Sequence, residues 1–238
     1  MIRNGTKTIF GAALALLTLA FGHLAQASLV LTLDDLATVG VDVIVIDNFD
    51  GSVGDTTAKG DANVGDIAAD DGMLGFVGSV GTFTLNISVG ISQPSIDGLE
   101  LWSAHIGGGI GTLEIMLTDT DFAATDGYHS TRSEIVGFTT GTVTASEFFD
   151  PANAEFGMVN ELSHIDLGPG AFSHVMLGEF EVDGPYSISK MITVQHTASP
   201  QLTTVHFRGA VVPEPATVLL MGLGLAGLGF ARRRKLNA

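Results

Sequence analysis

The chain of 238 residues contains no cysteine. That excludes disulfides, a thiol nucleophile and a membrane anchor built on a lipidated thiol. Positive charge is almost as scarce, with 10 Lys and Arg against 26 Asp and Glu. Most of those bases sit at the two ends. Between residues 28 and 213 only Lys59, Arg132, Lys190 and Arg208 face 25 acidic residues, a net charge of −21. Such a body is repelled by nucleic acid and by anionic lipid surfaces, so no nucleic-acid partner is expected.

Catalytic signatures are missing too. Of seven histidines, His23 lies near the N-terminus, and His105, His129, His164, His174, His196 and His206 are scattered. None has the HxH or HExxH spacing of a zinc site. There is no GxSxG elbow, and abundant carboxylates alone do not make a glycosidase pair. Gly222-Leu-Gly224-Leu-Ala-Gly227 spells GxGxxG, but no strand precedes it and the chain ends too soon for a βαβ unit. No catalytic residues are assigned, no cofactor is called for, and the expectation is a protein that is not an enzyme. No fixed-period repeat occurs, which argues against a solenoid.

What is present is an address at each end. Arg3 and Lys7 precede an apolar stretch, Ile9 to Phe21, and Ala25-Gln26-Ala27 supplies the small-x-small pattern of signal-peptide cleavage before Ser28. At the other end Val212-Pro213-Glu214-Pro215 leads into sixteen uncharged residues, Ala216 to Ala231, closed by Arg232, Arg233, Arg234 and Lys235. A greasy segment capped by bases is how a helix is held in a membrane with its basic end in the cytoplasm. Sixteen helical residues rise about 24 Å, short of a hydrocarbon core of about 30 Å, so the anchor is marginal and suits a temporary hold. The division expected is a signal peptide over 1–27, an exported domain over 28–210 and a linker over 211–215. A transmembrane helix over 216–231 and a basic cytoplasmic tail over 232–238 complete it.

The order of Pro-Glu-Pro, apolar run and Arg cluster resembles the PEP-CTERM sorting signal of exported bacterial proteins. The same kind of tail is also named after an ice-binding protein, a name that describes the tail and not the body. The resemblance implies a substrate of exosortase, held transiently in the inner membrane, cut near Pro213-Glu214-Pro215 and passed to the cell surface or the extracellular matrix. It further implies an association with exopolysaccharide and biofilm. The body from about residue 33 to 213 also resembles an exported domain that recurs with such tails, which supports the fold and implies no activity.

The body reads as all-β. Thr82 to Val89 alternates polar and apolar residues, Leu113, Ile115 and Leu117 repeat the pattern, and Val41 to Ile46 and Ser187 to Gln195 are rich in β-branched residues. Val205-His-Phe207 reads as the last strand. Turn signals such as Asp97-Gly98, Gly168-Pro169-Gly170 and Asp183-Gly184-Pro185 separate them. About 9–12 short strands predict a β-sandwich of jelly-roll type. Helix is expected at the two ends and, at most, over Ala145–Phe149.

One stretch invites a metal. Asp47, Asp50, Asp55, Asp61 and Asp66 punctuate a Gly-rich segment, and calcium takes six to eight hard oxygens. The EF-hand pattern is absent, and turn chemistry alone accounts for Asp and Gly in a solvated loop. Asp119-Thr-Asp121 with Asp126 is a second, weaker set. The body is thus either a structural or exopolysaccharide-associated surface protein, or a ligand-binding module for calcium-dependent carbohydrate or for ice. For ice, Thr82, Thr84, Thr139, Thr140, Thr142 and Thr144 would have to form one flat face.

Overall fold

Alternating burial marks several strands of the computed structural model, which describes residues 29–47, 56–58, 72–93, 98–122 and 127–212. The strands are β1 (Val30–Asp35), β2 (Val43–Ile46), β3 (Thr56–Ala58), β4 (Met73–Val80), β5 (Phe83–Gln93), β6 (Gly98–Gly108) and β7 (Gly111–Phe122). They continue with β8 (Gly127–Thr139), β9 (Thr142–Asp150), β10 (Asn160–Leu167), β11 (Gly170–Val182), β12 (Tyr186–His196) and β13 (Gln201–Val212). No helix occurs among the described residues. The cleavage-site residues Ala25, Ala27 and Ser28, the motif residues Pro213, Glu214 and Pro215, the apolar run, and Arg232, Arg233, Arg234 and Lys235 lie outside them.

The strands form two antiparallel sheets, ordered β10-β9-β12-β7-β1-β2-β3 and β11-β8-β13-β6-β5-β4. From β6 onward the chain repeatedly changes sheet, so that β6-β13-β8-β11 lies in one and β7-β12-β9-β10 in the other. Inward positions of both sheets supply one apolar core, with Leu31, Leu33, Ile115, Leu117, Ile192 and Val194 from the first sheet and Phe83, Leu85, Ile106, Ile135, Val205 and Phe207 from the second. Face-to-face packing of two half-apolar sheets is what buries these stripes.

Two expectations change. Ala145–Phe149 is not helical but the middle of β9. Val143, Ala145, Glu147 and Phe149 all point inward at 2 % exposure or less, a period of two that Glu147 disguises by placing a charge on the apolar side. The second change is in the threonines. Thr139 is buried at the end of β8, where its hydroxyl meets Thr203 Oγ1 at 2.7 Å, whereas Thr142 and Thr144 belong to β9 in the other sheet. The flat threonine face is therefore divided between two sheets.

Candidate functional site

The two edge strands β10 and β11 meet through the short corner at Gly168 and Pro169. At the opposite end, between the start of β10 and the end of β11, lies a cleft of about 530 Å³. Phe149, Leu162 and Phe180 line it with Val159, and Asn160, Glu161, Glu179 and Glu181 add polar atoms. A register shift between Glu161 and Ser163, opposite Phe148 and Glu147 of β9, puts one extra residue into β10. Such a bulge bends a strand and re-aims its side chains, here leaving Leu162 buried. Behind the cleft the rings form a cluster, with Phe149 and Phe180 centroids 4.4 Å apart, Phe180 and Tyr186 5.4 Å apart, and Phe122 and Tyr186 5.5 Å apart. They join the two sheets at this end and fix the cleft floor.

No Lys or Arg lines the cleft. Arg132 and Arg208 both reach Glu134, at 3.5 and 2.6 Å. The Arg208 hydrogen bond in particular holds the Glu134 carboxyl below its ordinary range. Lys190, the remaining described base, is inside the sandwich.

Beside the cleft, the outer side of β9 and β10 carries a polar network. Ser146 Oγ lies 2.8 Å from His164 Nδ1 and donates to Glu161 Oε1 at 3.1 Å, and His164 Nε2 lies 3.5 Å from Asp166 Oδ2. The Thr144 hydroxyl, and His164 after it, hold the Asp166 carboxyl low. Ser, His and Asp in sequence suggest a nucleophile. Ser146, however, is 1 % exposed, so no substrate carbonyl can approach its oxygen.

Of the five expected calcium ligands, only Asp47 is among the described residues. Its buried carboxylate accepts the Gly72 N–H at 2.5 Å, and its own N–H donates to the Leu29 carbonyl at 3.0 Å. Asp47 thus clamps the two ends of the acidic segment. Asp50, Asp55, Asp61 and Asp66 lie outside the described residues, as does Asp126. Asp121 serves the fold: its N–H donates to Asn153 Oδ1 at 2.8 Å, and Asn153 Nδ2 donates back to its carboxylate at 2.7 Å. Asp119 Oδ1 accepts the Thr120 N–H at 2.8 Å. No group of three or more His, Asp or Glu suited to a metal occurs among the described residues.

Sequence reasoning did not foresee the cleft, because its walls come from three segments that only the sheet order brings together. A second feature did leave a trace. Lys190 occupies an inward slot between Ile188 and Ile192, and Glu147 one between Ala145 and Phe149. Each is a single charge in an apolar alternation. The two charges are directly opposite in the register of β12 and β9, and the Lys190 ammonium contacts Glu147 Oε1.

No curated protein matches the chain. Among solved structures, TmCBM61 in complex with β-1,4-galactotriose aligns over 56 % of this chain and 83 % of its own, at 11 % identity and a TM-score of 0.29. The enzymatically active domain of bacteriophage CBA120 tailspike protein 4 aligns over 59 % of this chain and 19 % of its own, at 12 % identity and a TM-score of 0.30. Arthrobacter globiformis T6 isomalto-dextranase complexed with panose aligns over 78 % and 30 %, at 13 % identity and a TM-score of 0.27. Likeness at this level informs neither ligand nor reaction. The tail is different: residues 211–235 match, and carry, the PEP-CTERM protein-sorting motif.

Proposed function

We propose that the protein is an exported bacterial surface or extracellular-matrix protein, sorted by its C-terminal signal and processed by exosortase, whose body is a non-enzymatic module associated with exopolysaccharide. The observation that carries the sorting half is the match over residues 211–235, which begins as β13 ends. Proline has no N–H to extend a ladder, so Pro213 is a natural stop for the sheet. A cut near Pro213-Glu214-Pro215 would release the sandwich with all thirteen described strands. The alternation of β6-β13-β8-β11 with β7-β12-β9-β10 supports the jelly-roll reading of that sandwich.

For the body, the cleft favours an uncharged or amino-bearing saccharide over an acidic one. Its size falls within the range of ligand pockets, its floor is apolar, and its rim offers carboxylates that accept hydrogen bonds from sugar hydroxyls or an ammonium group. An acidic glycan would meet those carboxylates with no Lys or Arg among the lining residues. Deleting residues 213–238 should move the protein out of the membrane fraction, and loss of exosortase should leave it there with its tail intact. Identical fractionation in all three strains would remove the sorting reading. A glycan array probed with residues 28–212 should show binding to neutral or amino sugars that Glu181→Ala weakens. Preference for uronic-acid polymers would overturn the cleft assignment without touching the sorting one.

A further inference from the structure

We infer that Lys190 and Glu147 are the two halves of an internal isopeptide bond that forms once the sandwich has folded, a covalent tie between β12 and β9 in a chain without cysteine. The pair lies in the core, with side chains 1 % and 2 % exposed. The nitrogen sits 4.1 Å from the centre of the Phe207 ring, and the Ser133 hydroxyl donates to Glu147 Oε2. Both of those residues come from the opposite sheet. Gly209 makes the space: a Cβ there would lie 2.6 Å from Lys190 Nζ and 3.0 Å from Ser133 Oγ, and would overlap Glu147 Oε1.

Two opposite charges in such a place pay heavily for lost hydration, whereas the neutral amine and neutral carboxylic acid do not. Burial pushes the Lys190 amine down, against the opposing pull of Glu147. A proton passed from the ammonium to the carboxylate across their contact leaves the amine and carboxylic acid that condense, held at the high effective concentration of a fixed geometry. The Nζ lone pair adds to Glu147 Cδ and the Cδ–Oε2 bond breaks. One hydrogen from Nζ leaves with the Oε2 hydroxyl as water. Atoms balance, nothing is oxidised or reduced, and no further reactant is required. Ser133, bonded to the departing oxygen, is placed to relay that hydrogen. The burial of the pair also keeps bulk water from reversing the step.

Mass spectrometry of the protein isolated from the producing cell tests this directly. Trypsin should yield residues 133–208 as one peptide, uncut after Lys190 and lighter by one water, and further cleavage with chymotrypsin should leave the Lys190 and Glu147 fragments joined. Lys190→Arg, which keeps the charge, and Glu147→Ala should give only separate peptides. Ser133→Ala should slow the appearance of the joined species in freshly made protein whose circular dichroism is unchanged. Separate, full-mass peptides for both residues in aged wild-type protein would overturn the inference and leave an ordinary buried ion pair.

Discussion

Single atoms decide stability at the centre of this sandwich. Gly209 faces three polar groups that leave no room for a methyl, so Gly209→Ala must shift the Lys190–Glu147–Ser133 cluster or the backbone of β13. Overpacking of this kind costs about 1–3 kcal/mol, and urea unfolding of the variant should show a loss of that size with an unchanged slope. His196 is a second such position. It is 1 % exposed, its Nε2 lies 3.0 Å from Thr203 Oγ1, and its ring packs on Phe83 with centroids 5.6 Å apart. Burial lowers its pKa, although the Gly108 and Gly109 backbone pulls the other way. A lowered histidine pKa means that the unfolded chain takes up the proton first as pH falls. Stability is then unaffected well above the ordinary value of about 6.5, declines as pH falls through it, and levels off once the folded form is also protonated. Unfolding midpoints between pH 7.5 and 5 should fall less in His196→Gln than in the wild type; parallel curves would show that His196 contributes nothing to the acid sensitivity.

Elements here are set by which face is buried, and local composition misleads where a charge enters that face. β9 carries Ser, Glu and two Phe in a row, a composition compatible with a short helix, yet its neighbours β10 and β12 pair with it throughout. The loop after β9 shows the reverse, polar residues doing structural work. Asn153 and Phe156 adopt φ of 55° and 52°, and Asp121 φ of 62°. Asparagine and aspartate tolerate that region and phenylalanine does so rarely. The segment is fastened by Ser187 Oγ to the Ala154 carbonyl at 2.7 Å and by the Phe156 N–H to Thr118 Oγ1 at 3.2 Å. These contacts help cover hydroxyls on the outer side of β7 and β12. At the acidic segment, the Asp47–Gly72 clamp already satisfies one expected calcium ligand with a backbone N–H. Calcium at a few millimolar should therefore raise the melting temperature no more than sodium chloride of equal ionic strength, the result expected of screened self-repulsion. A rise of several degrees specific to calcium, lost in Asp61→Asn, would establish a site there instead.

At the scale of the molecule, β13 is the last described strand yet lies between β8 and β6, bonded on both sides. The second sheet therefore cannot close until residues 201–212 have arrived, immediately before the sorting motif. Val212 pairs with Ser130, and Ser130 with Glu179, so the tail leaves two strands from the cleft rim, at about 10 Å in sheet spacing. That end of the sandwich also carries Asp47, Asp119, Asp121, Asp150 and Glu181, of which Asp47, Asp119 and Asp150 are buried.

The strands, the tail and the charge imbalance were legible in the sequence because each is written in consecutive residues. Thr82 to Val89 and Ser187 to Gln195 declare their faces by alternation, and the Pro-Glu-Pro, apolar and Arg blocks stand in order along 27 residues. The cleft was not legible, since Phe149, Leu162 and Phe180 become neighbours only when β9, β10 and β11 are placed in two sheets. The same holds for Lys190, Glu147, Ser133 and Gly209. The alternation announces that Lys190 and Glu147 point inward, but it cannot say that they point at each other. Pairing depends on strand order and register, which are settled by the collective burial of both sheets rather than by any local preference.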